Sequence, residues 1–255
     1  MKILALGDVV SPAAVDYLRR ELWSRRKALG CDFVIANGEN ASEGNGITAD
    51  DARAMLDAGV DVVTGGNHSL RKKSLHNLMD DDDRVLRPAN FPADSPGFGY
   101  CIVKNEGVRI LVINLAGRIG LDFTDNPFDC ADRILARCEG QYDFSAVDFH
   151  AEATGEKLAL GRYLDGRVNV FFGTHTHVTT ADEQVLSCGT GYITDLGFTG
   201  VHDSVLGVRT DIIIKRLRTG LPDPFENAAG EVKAHGALFT LSDGGRCESV
   251  ERIVF

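Results

Sequence analysis

The sequence predicts an α/β fold in which a parallel sheet presents polar residues at the carboxyl ends of its strands. Apolar runs of strand length alternate with segments of helical periodicity through residues 2–64, which is the pattern of strand–helix–strand units. The first three apolar runs each end in glycine next to a carboxylate, an amide or an imidazole. Because α/β proteins bind ligands at the carboxyl ends of parallel strands, we expect these tips to lie together.

Length and composition indicate one large domain over residues 1–255. The chain is 44% hydrophobic and has no low-complexity linker, and a chain of this length can bury a large core. Its formal charge of -10 argues against duplex DNA or an anionic membrane as a partner, since either needs a basic surface. A small anionic substrate is compatible with this charge if metal ions supply local positive charge.

The amino terminus and the cysteines favour a cytoplasmic protein. The apolar run after Met1 stops at Gly7-Asp8, which is too short for the core of a signal peptide or for a membrane span. The six cysteines show no C-x-x-C spacing. We therefore expect neither a zinc knuckle nor disulfides, but reduced and mostly buried thiols.

Start and stop signals place the elements of the first third of the chain. Ser11 followed by Pro12 is an N-cap signature, and it predicts a helix that ends at Gly30. Thr48, with Asp51 three residues later, predicts a second capped helix. The predicted elements of this part are strands at 2–6, 33–36 and 60–64 and helices at 12–30 and 49–58.

The same signals place the remaining elements. Residues 105–107 separate two apolar runs and predict a hairpin, and Asn126-Pro127 repeats the cap-then-proline signature. The aspartate run 80–83 is interpreted as a solvated loop, because it lacks the alternating spacing of a calcium site. Segment 212–217 is too short for periodicity to separate a strand from a helix. The predicted strands are 100–104, 108–114, 145–149, 168–172, 191–194, 237–241 and 250–255, and the predicted helices run from 126 to about 140 and from 152 to 164.

Two histidines, His175 and His177, follow the apolar run 168–172 directly. If the segment stays extended, residues i and i+2 point the same way and both imidazoles reach one cleft. Neutral imidazole is a common ligand of zinc, iron and manganese. The spacing alone is equally compatible with two surface histidines on a loop. The residues at the other strand tips therefore determine whether a metal site is the better interpretation.

Further metal-type donors end the other predicted strands, namely Asp8, Glu39, Asn40, Asn67 and His150. With the histidine pair they make seven candidate ligands, too many for one tetrahedral ion but suited to two ions that share a carboxylate. Two divalent cations and two carboxylates leave a net positive charge. That charge would attract a phosphate and lower the pKa of a bound water.

These tips resemble the motifs of the metallophosphoesterases, which are a carboxylate tip, a second G-D tip, G-N-H, a lone histidine and G-H-x-H. The chain departs from that pattern at Val10, where the D-x-H motif has histidine, at Glu39, where aspartate is usual, and at Ser69, where an acid is usual. The matching segments are Gly7-Asp8, Gly38-Glu39-Asn40, Gly66-Asn67-His68, His150 and Gly173-Thr174-His175-Thr176-His177.

The three departures from the general motifs, together with four longer segments, are similar to the YmdB-like branch of bacterial phosphodiesterases. This resemblance covers essentially the whole chain. The resemblance implies a metallophosphoesterase four-layer α/β/β/α sandwich of two mixed sheets flanked by helices. It also implies phosphodiester substrates, including 2',3'-cyclic nucleotides, and two metal ions of the iron or manganese type. The four segments are 35–40, 87–92, 148–154 and 192–195.

The resemblance also implies which residues bind each ion. Glu39 is the bridge, and a hydroxide held between the ions attacks the phosphorus. Donors this rich in hard oxygen favour iron(II) or manganese over zinc, although ligand type alone does not fix the metal. The implied ligands are, for one ion, Asp8, Glu39, Asn40 and His177, and for the other, Glu39, Asn67, His150 and His175.

His68 is the candidate catalytic residue, because it has no required metal role. It could protonate the departing ribose oxygen or stabilise charge on the phosphoryl group, and the alternative is a structural histidine behind the ligands.

Other histidines and two arginines lie outside the motifs. His76 and His235 are interpreted as surface or satisfied residues, and His202 as a residue that could border the cleft. Arg87 and Arg118 could contact a phosphate, but arginines are more often ion-pair partners, so neither is assigned to the site.

The residues leave two alternative functions open. The same metal pair can attack a monoester, which would make the protein a general phosphomonoesterase, or the site could sense a nucleotide without turning it over. Amidohydrolases also use H-x-H, but near the amino terminus of a barrel rather than at residue 175. The expected partners are small phosphodiesters or nucleotides and RNA ends, with no membrane and no duplex DNA, and a homo-oligomer is left open.

Overall fold

A computed structural model describes all 255 residues and shows two mixed sheets packed face to face. The helices are α1 (Pro12–Leu29), α2 (Ala49–Asp57), α3 (Lys73–Asp81), α4 (Pro127–Arg137), α5 (Thr154–Tyr163) and α6 (Thr210–Thr219). The strands of the first half are β1 (Lys2–Leu6), β2 (Asp8–Val9), β3 (Phe33–Asn37), β4 (Val62–Thr64), β5 (Tyr100–Asn105) and β6 (Val108–Ala116). Those of the second half are β7 (Phe144–His150), β8 (Val170–Thr174), β9 (Gln184–Val185), β10 (Gly191–Ile193), β11 (Phe198–Val201), β12 (Val232–Lys233), β13 (His235–Leu241) and β14 (Cys247–Val254).

Both large sheets mix parallel and antiparallel strands: the five-stranded sheet is antiparallel at one edge and the six-stranded sheet at both. The five-stranded sheet has the order β14-β13-β1-β3-β4, with β1, β3 and β4 parallel. The six-stranded sheet has the order β5-β6-β7-β8-β10-β9, with β6, β7, β8 and β10 parallel. A small third sheet, β12-β11-β2, continues from the end of β1. Each large sheet therefore gathers several strand carboxyl ends at one edge.

Alternating side chains divide the core into three apolar layers. Ile3 of β1 and Ile110 of β6 lie in the layer between the sheets. Leu4 packs in the layer with α1, α2 and α3, and Leu111 packs in the layer with α4 and α5. This alternation follows from the two-residue period of a strand, which turns successive side chains to opposite faces. The predicted four-layer α/β/β/α sandwich is confirmed.

The capping signals place three of the six helices, α1, α2 and α4. Thr48 Oγ1 accepts a hydrogen bond from the backbone N–H of Asp51 at 3.2 Å, and Asn126 Oδ1 accepts one from Phe128 at 3.0 Å. Ser11 is different, because it has φ 81° and its side chain makes no capping bond. Proline at the next position and Gly30 in the left-handed region still set the ends of α1.

The aspartate run 80–83 is mostly exposed, as predicted, but only its last two residues lie in a loop, so that part of the prediction was wrong. Its first two residues form the last turn of α3, because Leu75, Leu78 and Met79 recur at helical spacing and are buried against the core. The run holds no cation-binding group of the kind that close carboxylates form. The ambiguous segment 212–217 lies in α6, whose side chains are all at least partly exposed.

No helix of the chain is both long enough and apolar enough to cross a membrane. All six cysteines are free, and five of them are buried.

One buried ion pair joins α5 to the loop that follows β10. Lys157 Nζ lies 2.6 Å from Asp195 Oδ2, and each side chain is 1% exposed. Asp195 also accepts hydrogen bonds from the backbone N–H groups of Thr176 (3.2 Å) and Gly197 (2.9 Å). The pair is therefore part of the scaffold that holds the loop after β8.

We expect Lys157→Ala to lower the free energy of unfolding by about 3–5 kcal/mol, because it leaves the Asp195 carboxylate buried without its cation. Urea denaturation of the variant and of the natural chain measures the difference. Lys215→Ala is the matched control, since Lys215 pairs with Asp223 at 2.9 Å while its side chain is 59% exposed, and such pairs contribute about 0–1 kcal/mol. Equal losses in the two variants would contradict the assignment.

Candidate metal centre

Strand ends of both sheets bring all the predicted ligands into one cluster. The five-stranded sheet supplies Glu39-Asn40 after β3 and Asn67 after β4, and Asp8 follows its strand β1 as the first residue of β2 in the small sheet. The six-stranded sheet supplies His150 at the end of β7 and the His175/His177 pair after β8. Each of these side chains contacts at least one other member of the cluster.

One half of the cluster is centred on His150. Its Nε2 lies 3.0 Å from Asn67 Oδ1, 3.3 Å from Glu39 Oε2 and 3.0 Å from His175 Nδ1. Donor atoms of Glu39, His150 and His175 all lie within 4.8 Å of one another. One ion could contact all of them.

The other half contains Asp8, Asn40 and His177. His177 Nε2 lies 3.7 Å from Asp8 Oδ1 and 3.4 Å from Asn40 Nδ2. Asn40 Nδ2 also donates to Glu39 Oε1 at 2.9 Å. Since Glu39 Oε2 faces His150, the Glu39 carboxylate lies between the two halves.

The environment of His150 fixes which of its nitrogens is free for a ligand bond. Thr174 Oγ1 donates to Asp148 Oδ1 at 2.8 Å, so the same oxygen accepts from His150 Nδ1 at 3.0 Å. This arrangement leaves the lone pair on Nε2 pointing into the cluster. Burial lowers the pKa of His150 to about 3, so the imidazole is neutral near pH 7.

The two histidines after β8 are oriented by separate acceptors. His175 Nε2 lies 3.0 Å from Glu152 Oε2, and His177 Nδ1 lies 3.3 Å from the carbonyl oxygen of Leu206. In each ring the remaining nitrogen faces the cluster.

The expected extended conformation of this pair was wrong. β8 ends at Thr174, and His175 and His177 have φ 98° and 60°. The turn is held by Asp8 Oδ2, which accepts from the backbone N–H of His175 at 3.0 Å, and by Asp195. The two imidazoles therefore reach the same cluster but opposite halves of it.

The two buried carboxylates make the cluster suited to cations. Burial and the nearby Glu39 charge raise the pKa of Asp8 well above its usual value. Burial also acts to raise the pKa of Glu39, but the adjacent His150 ring and the hydrogen bonds from His68 outweigh it and lower that pKa below its usual value. Asp8 Oδ1 is buried and has no hydrogen-bond partner. An unpaired buried carboxylate oxygen of this kind is costly unless a cation contacts it.

His68 lies against both halves of the cluster. Its backbone N–H donates to Glu39 Oε2 at 2.9 Å, and its Nδ1 lies 2.8 Å from Asn40 Oδ1 and 3.2 Å from Glu39 Oε1. Its Nε2 makes no hydrogen bond within the chain. His68 lines a cavity of about 330 Å³ together with His175 and His177, so a bound substrate could reach it.

The residues outside the motifs have structural contacts. Arg87 donates to the carbonyls of residues 88, 95 and 96, His76 lies 3.1 Å from the Leu70 carbonyl, and His235 lies 2.9 Å from Thr179 Oγ1. His202 does not border the cavity, so that expectation was wrong. It stacks between the rings of Phe198 and His235 behind His177. Arg118 also lies outside that cavity.

Sequence reasoning missed three residues that orient the predicted ligands: Asp148, Glu152 and Thr174. A signal for Asp148 was present, because it stands two residues before His150 and so shares its face of the strand. Glu152 stands two residues after the same histidine. Thr174 carried no comparable signal.

The chain has the metallophosphoesterase fold, a four-layer α/β/β/α sandwich, and it carries oxygen and imidazole donors at the strand ends of both sheets. A family model for YmdB-like proteins matches residues 4–253. The chain belongs to this YmdB-like family.

Relatives and solved structures resemble the chain over its full length. It is 42% identical over 255 residues to the 2',3'-cyclic-nucleotide 2'-phosphodiesterase of Bacillus subtilis (strain 168), in a match that covers 100% of this chain and 97% of that one. A crystal structure of a hypothetical protein from Thermus thermophilus matches with a TM-score of 0.93 and 38% identity over 100% of this chain and 99% of that one. A novel phosphatase from Mycoplasma pneumoniae matches with a TM-score of 0.92 and 30% identity over 100% and 93%. The resemblance seen in the motifs is confirmed.

We expect Thr174→Val to weaken metal binding about 10- to 100-fold, because it removes the hydroxyl that orients His150. Equilibrium titration of metal-free protein with Mn²⁺ measures the change. Thr210→Val at the exposed start of α6 is the control, and it should leave the affinity unchanged. Unaltered affinity in Thr174→Val would show that the hydroxyl does not orient the ligand.

Proposed function

We propose that the chain is a dinuclear metal-dependent phosphodiesterase that hydrolyses 2',3'-cyclic nucleotides and similar phosphodiesters, including those at RNA ends. The observation that carries the proposal is the position of Glu39 between two groups of donors. A carboxylate in that position can bridge two ions. The activity is the one named for the Bacillus subtilis relative.

The residues present fit two cations. Two buried carboxylates with neutral amides and imidazoles leave uncompensated negative charge, and Asp8 Oδ1 has no other partner. Oxygen-rich donor sets favour iron(II) or manganese over zinc. The residues that would hold the ions are Asp8, Glu39, Asn40 and His177 for one, and Glu39, Asn67, His150 and His175 for the other.

When bound, two divalent cations would supply a water of lowered pKa as nucleophile and would neutralise charge on the phosphoryl oxygens. The chain's own residues hold the metal-binding side chains in place and supply the proton that the leaving oxygen needs. Asn40 presents Nδ2 to His177 and Oδ1 to His68. As a metal ligand Asn40 would contribute Oδ1.

His68 Nε2 is the group that can protonate the leaving oxygen. The oxygen of water bonds to phosphorus, the P–O2' bond breaks, and its electron pair goes to O2'. His68, protonated on both nitrogens, gives its Nε2 proton to O2' and becomes a neutral imidazole. It regains a proton from solvent, which receives the proton that the water loses. The products are a nucleoside and a phosphate joined only at the 3' oxygen, that is, a nucleoside 3'-monophosphate.

We expect Glu39→Ala to bind neither ion and Asn67→Ala to bind one, because Glu39 is shared and Asn67 faces only the His150 half. Metal content per chain, measured by atomic emission after equilibration with excess Mn²⁺ and gel filtration, tests this. Glu43→Ala is the control, since Glu43 is exposed nearby on the loop after Asn40. Two ions per chain in Glu39→Ala would refute the bridge.

We expect His68→Ala to slow hydrolysis of a 2',3'-cyclic nucleotide by ~10²–10⁴-fold and that of bis-nitrophenyl phosphate far less. A ribose alkoxide needs a proton as it leaves, whereas nitrophenolate leaves readily without one. Initial rates on both substrates at matched metal content measure the difference.

Two other results would change the role of His68. Equal losses on the two substrates would indicate that it stabilises phosphoryl charge, and loss of metal would make it a ligand or a structural residue. Faster turnover of nitrophenyl phosphate than of the cyclic nucleotide by the natural chain would favour a phosphomonoesterase instead.

A further inference from the structure

A second cavity of about 400 Å³ adjoins the metal centre. Asn67 belongs to both, because its Oδ1 contacts His150 and the same residue lines the cavity. This volume lies in the range of small-molecule sites. Its apolar walls are Leu70, Phe91, Leu121 and Phe123.

The loop between β6 and α4 forms one side of this cavity and is fixed at both of its ends. The Asn90 amide donates to the carbonyl of Ala116 at 2.7 Å and to that of Asp125 at 2.8 Å. The Glu156 carboxylate accepts from the backbone N–H groups of residues 118 and 119 at 2.9 and 3.1 Å. β6 ends at the same sheet edge as β7 and β8, yet this loop supplies no candidate metal ligand.

The tip of that loop exposes an aromatic ring at the cavity. Phe123 is 84% exposed and has φ 62°, a backbone conformation that is unfavourable for a bulky residue. Phe91, which also lines the cavity, is 9% exposed. An exposed ring and a buried ring on the wall of one cavity can both contact a flat aromatic ligand.

Polar groups in the cavity are free to contact a ligand. The side chains of Arg71, Ser95 and Asp122 line it and make no hydrogen bond or ion pair within the chain. Arginine supplies only donors, and aspartate supplies only acceptors when ionised. Together they match the mixed acceptor and amino groups on the edge of a nucleobase.

We propose that this cavity binds the base of the nucleotide whose cyclic phosphate lies at the metal centre, with Phe123 stacked on the base. The inference rests on the proposed function, since it assigns the substrate's base to a place beside the phosphate site. We infer a nucleobase as the occupant because the two sites share Asn67. A ribose whose phosphate lies near Asn67 carries its base toward the cavity that Asn67 also lines.

The test compares adenosine 2',3'-cyclic phosphate with ethylene phosphate, the five-membered cyclic diester that lacks ribose and base. Phe123→Ala should lower kcat/KM for the nucleotide about 10-fold, mainly through KM, because it removes one base-stacking contact. Its kcat/KM for ethylene phosphate should not change. Phe123→Tyr should retain the activity of the natural chain on both substrates. Phe98→Ala is the control, since Phe98 is also an exposed aromatic residue, 48% accessible, but does not line the cavity.

Three outcomes would overturn the base site while leaving the proposed function intact. The first is no change in Phe123→Ala on an active enzyme. The second is an equal loss on both substrates. The third is a nucleotide-selective loss in Phe225→Ala alone, because Phe225 lies on the wall of the metal-centre cavity and would then be the stacking residue.

Absence of turnover of both diesters by the metal-loaded natural chain would instead refute the proposed function. The base site is then tested by binding of adenosine 3'-monophosphate in a calorimeter. A Kd about 10-fold weaker in Phe123→Ala than in Phe98→Ala supports the site, and equal values overturn it.

Discussion

A single buried carboxylate, that of Asp148, joins the two sheets at the edge where the candidate ligands lie. It accepts hydrogen bonds from Thr64 of the five-stranded sheet at 2.5 Å, from Thr174 of the six-stranded sheet at 2.8 Å, and from Asn37 at 3.0 Å. Burying a charge is costly unless hydrogen bonds replace water. Burial raises the pKa of Asp148 to about 6 despite these three donors, so the group is still mainly ionised near pH 7. The relative position of the two sheets at this edge depends on that arrangement.

The orientation of the ligands follows from the same contacts. Because Thr174 gives its proton to Asp148, it can only accept from His150, and this fixes the free nitrogen of that ring. Asp195, paired with Lys157, acts similarly on the next loop by accepting from the backbone of Thr176, between the two histidines. Gly173 is required at the strand end, since a side chain there would overlap the Thr194 carbonyl and Lys157. Two buried acids that are not candidate ligands therefore hold the imidazoles in place.

The sequence predicts the strands, the polar tips and the family well, because apolar runs, glycine and capping residues act locally. It predicts the structure less well where contacts between distant segments determine the local backbone conformation. The histidine pair is bent rather than extended because Asp8, more than 160 residues away, accepts from the backbone of His175. Part of the aspartate run is helical because the apolar residues before it are buried on the sheet. The roles of Thr174 and of the loop that carries Phe123 depend on which strands are neighbours, and composition and spacing do not contain that information.

Metal binding would depend on how the two sheets pack, because each half of the cluster takes its donors from both of them. The five-stranded sheet supplies the carboxylates and amides, and the six-stranded sheet supplies the imidazoles. Each half of the cluster contains oxygen donors from the first and at least one imidazole from the second, as with Asp8 and His177 or Asn67 and His150. A cation in either half would thus connect the sheets at the edge that Asp148 already joins. Since the unfolded chain has no such cluster, the free energy of cation binding would also stabilise the packing of one sheet on the other. The hydrogen bonds of Asp148 to Thr64 of one sheet and Thr174 of the other favour the same packing of the sheets.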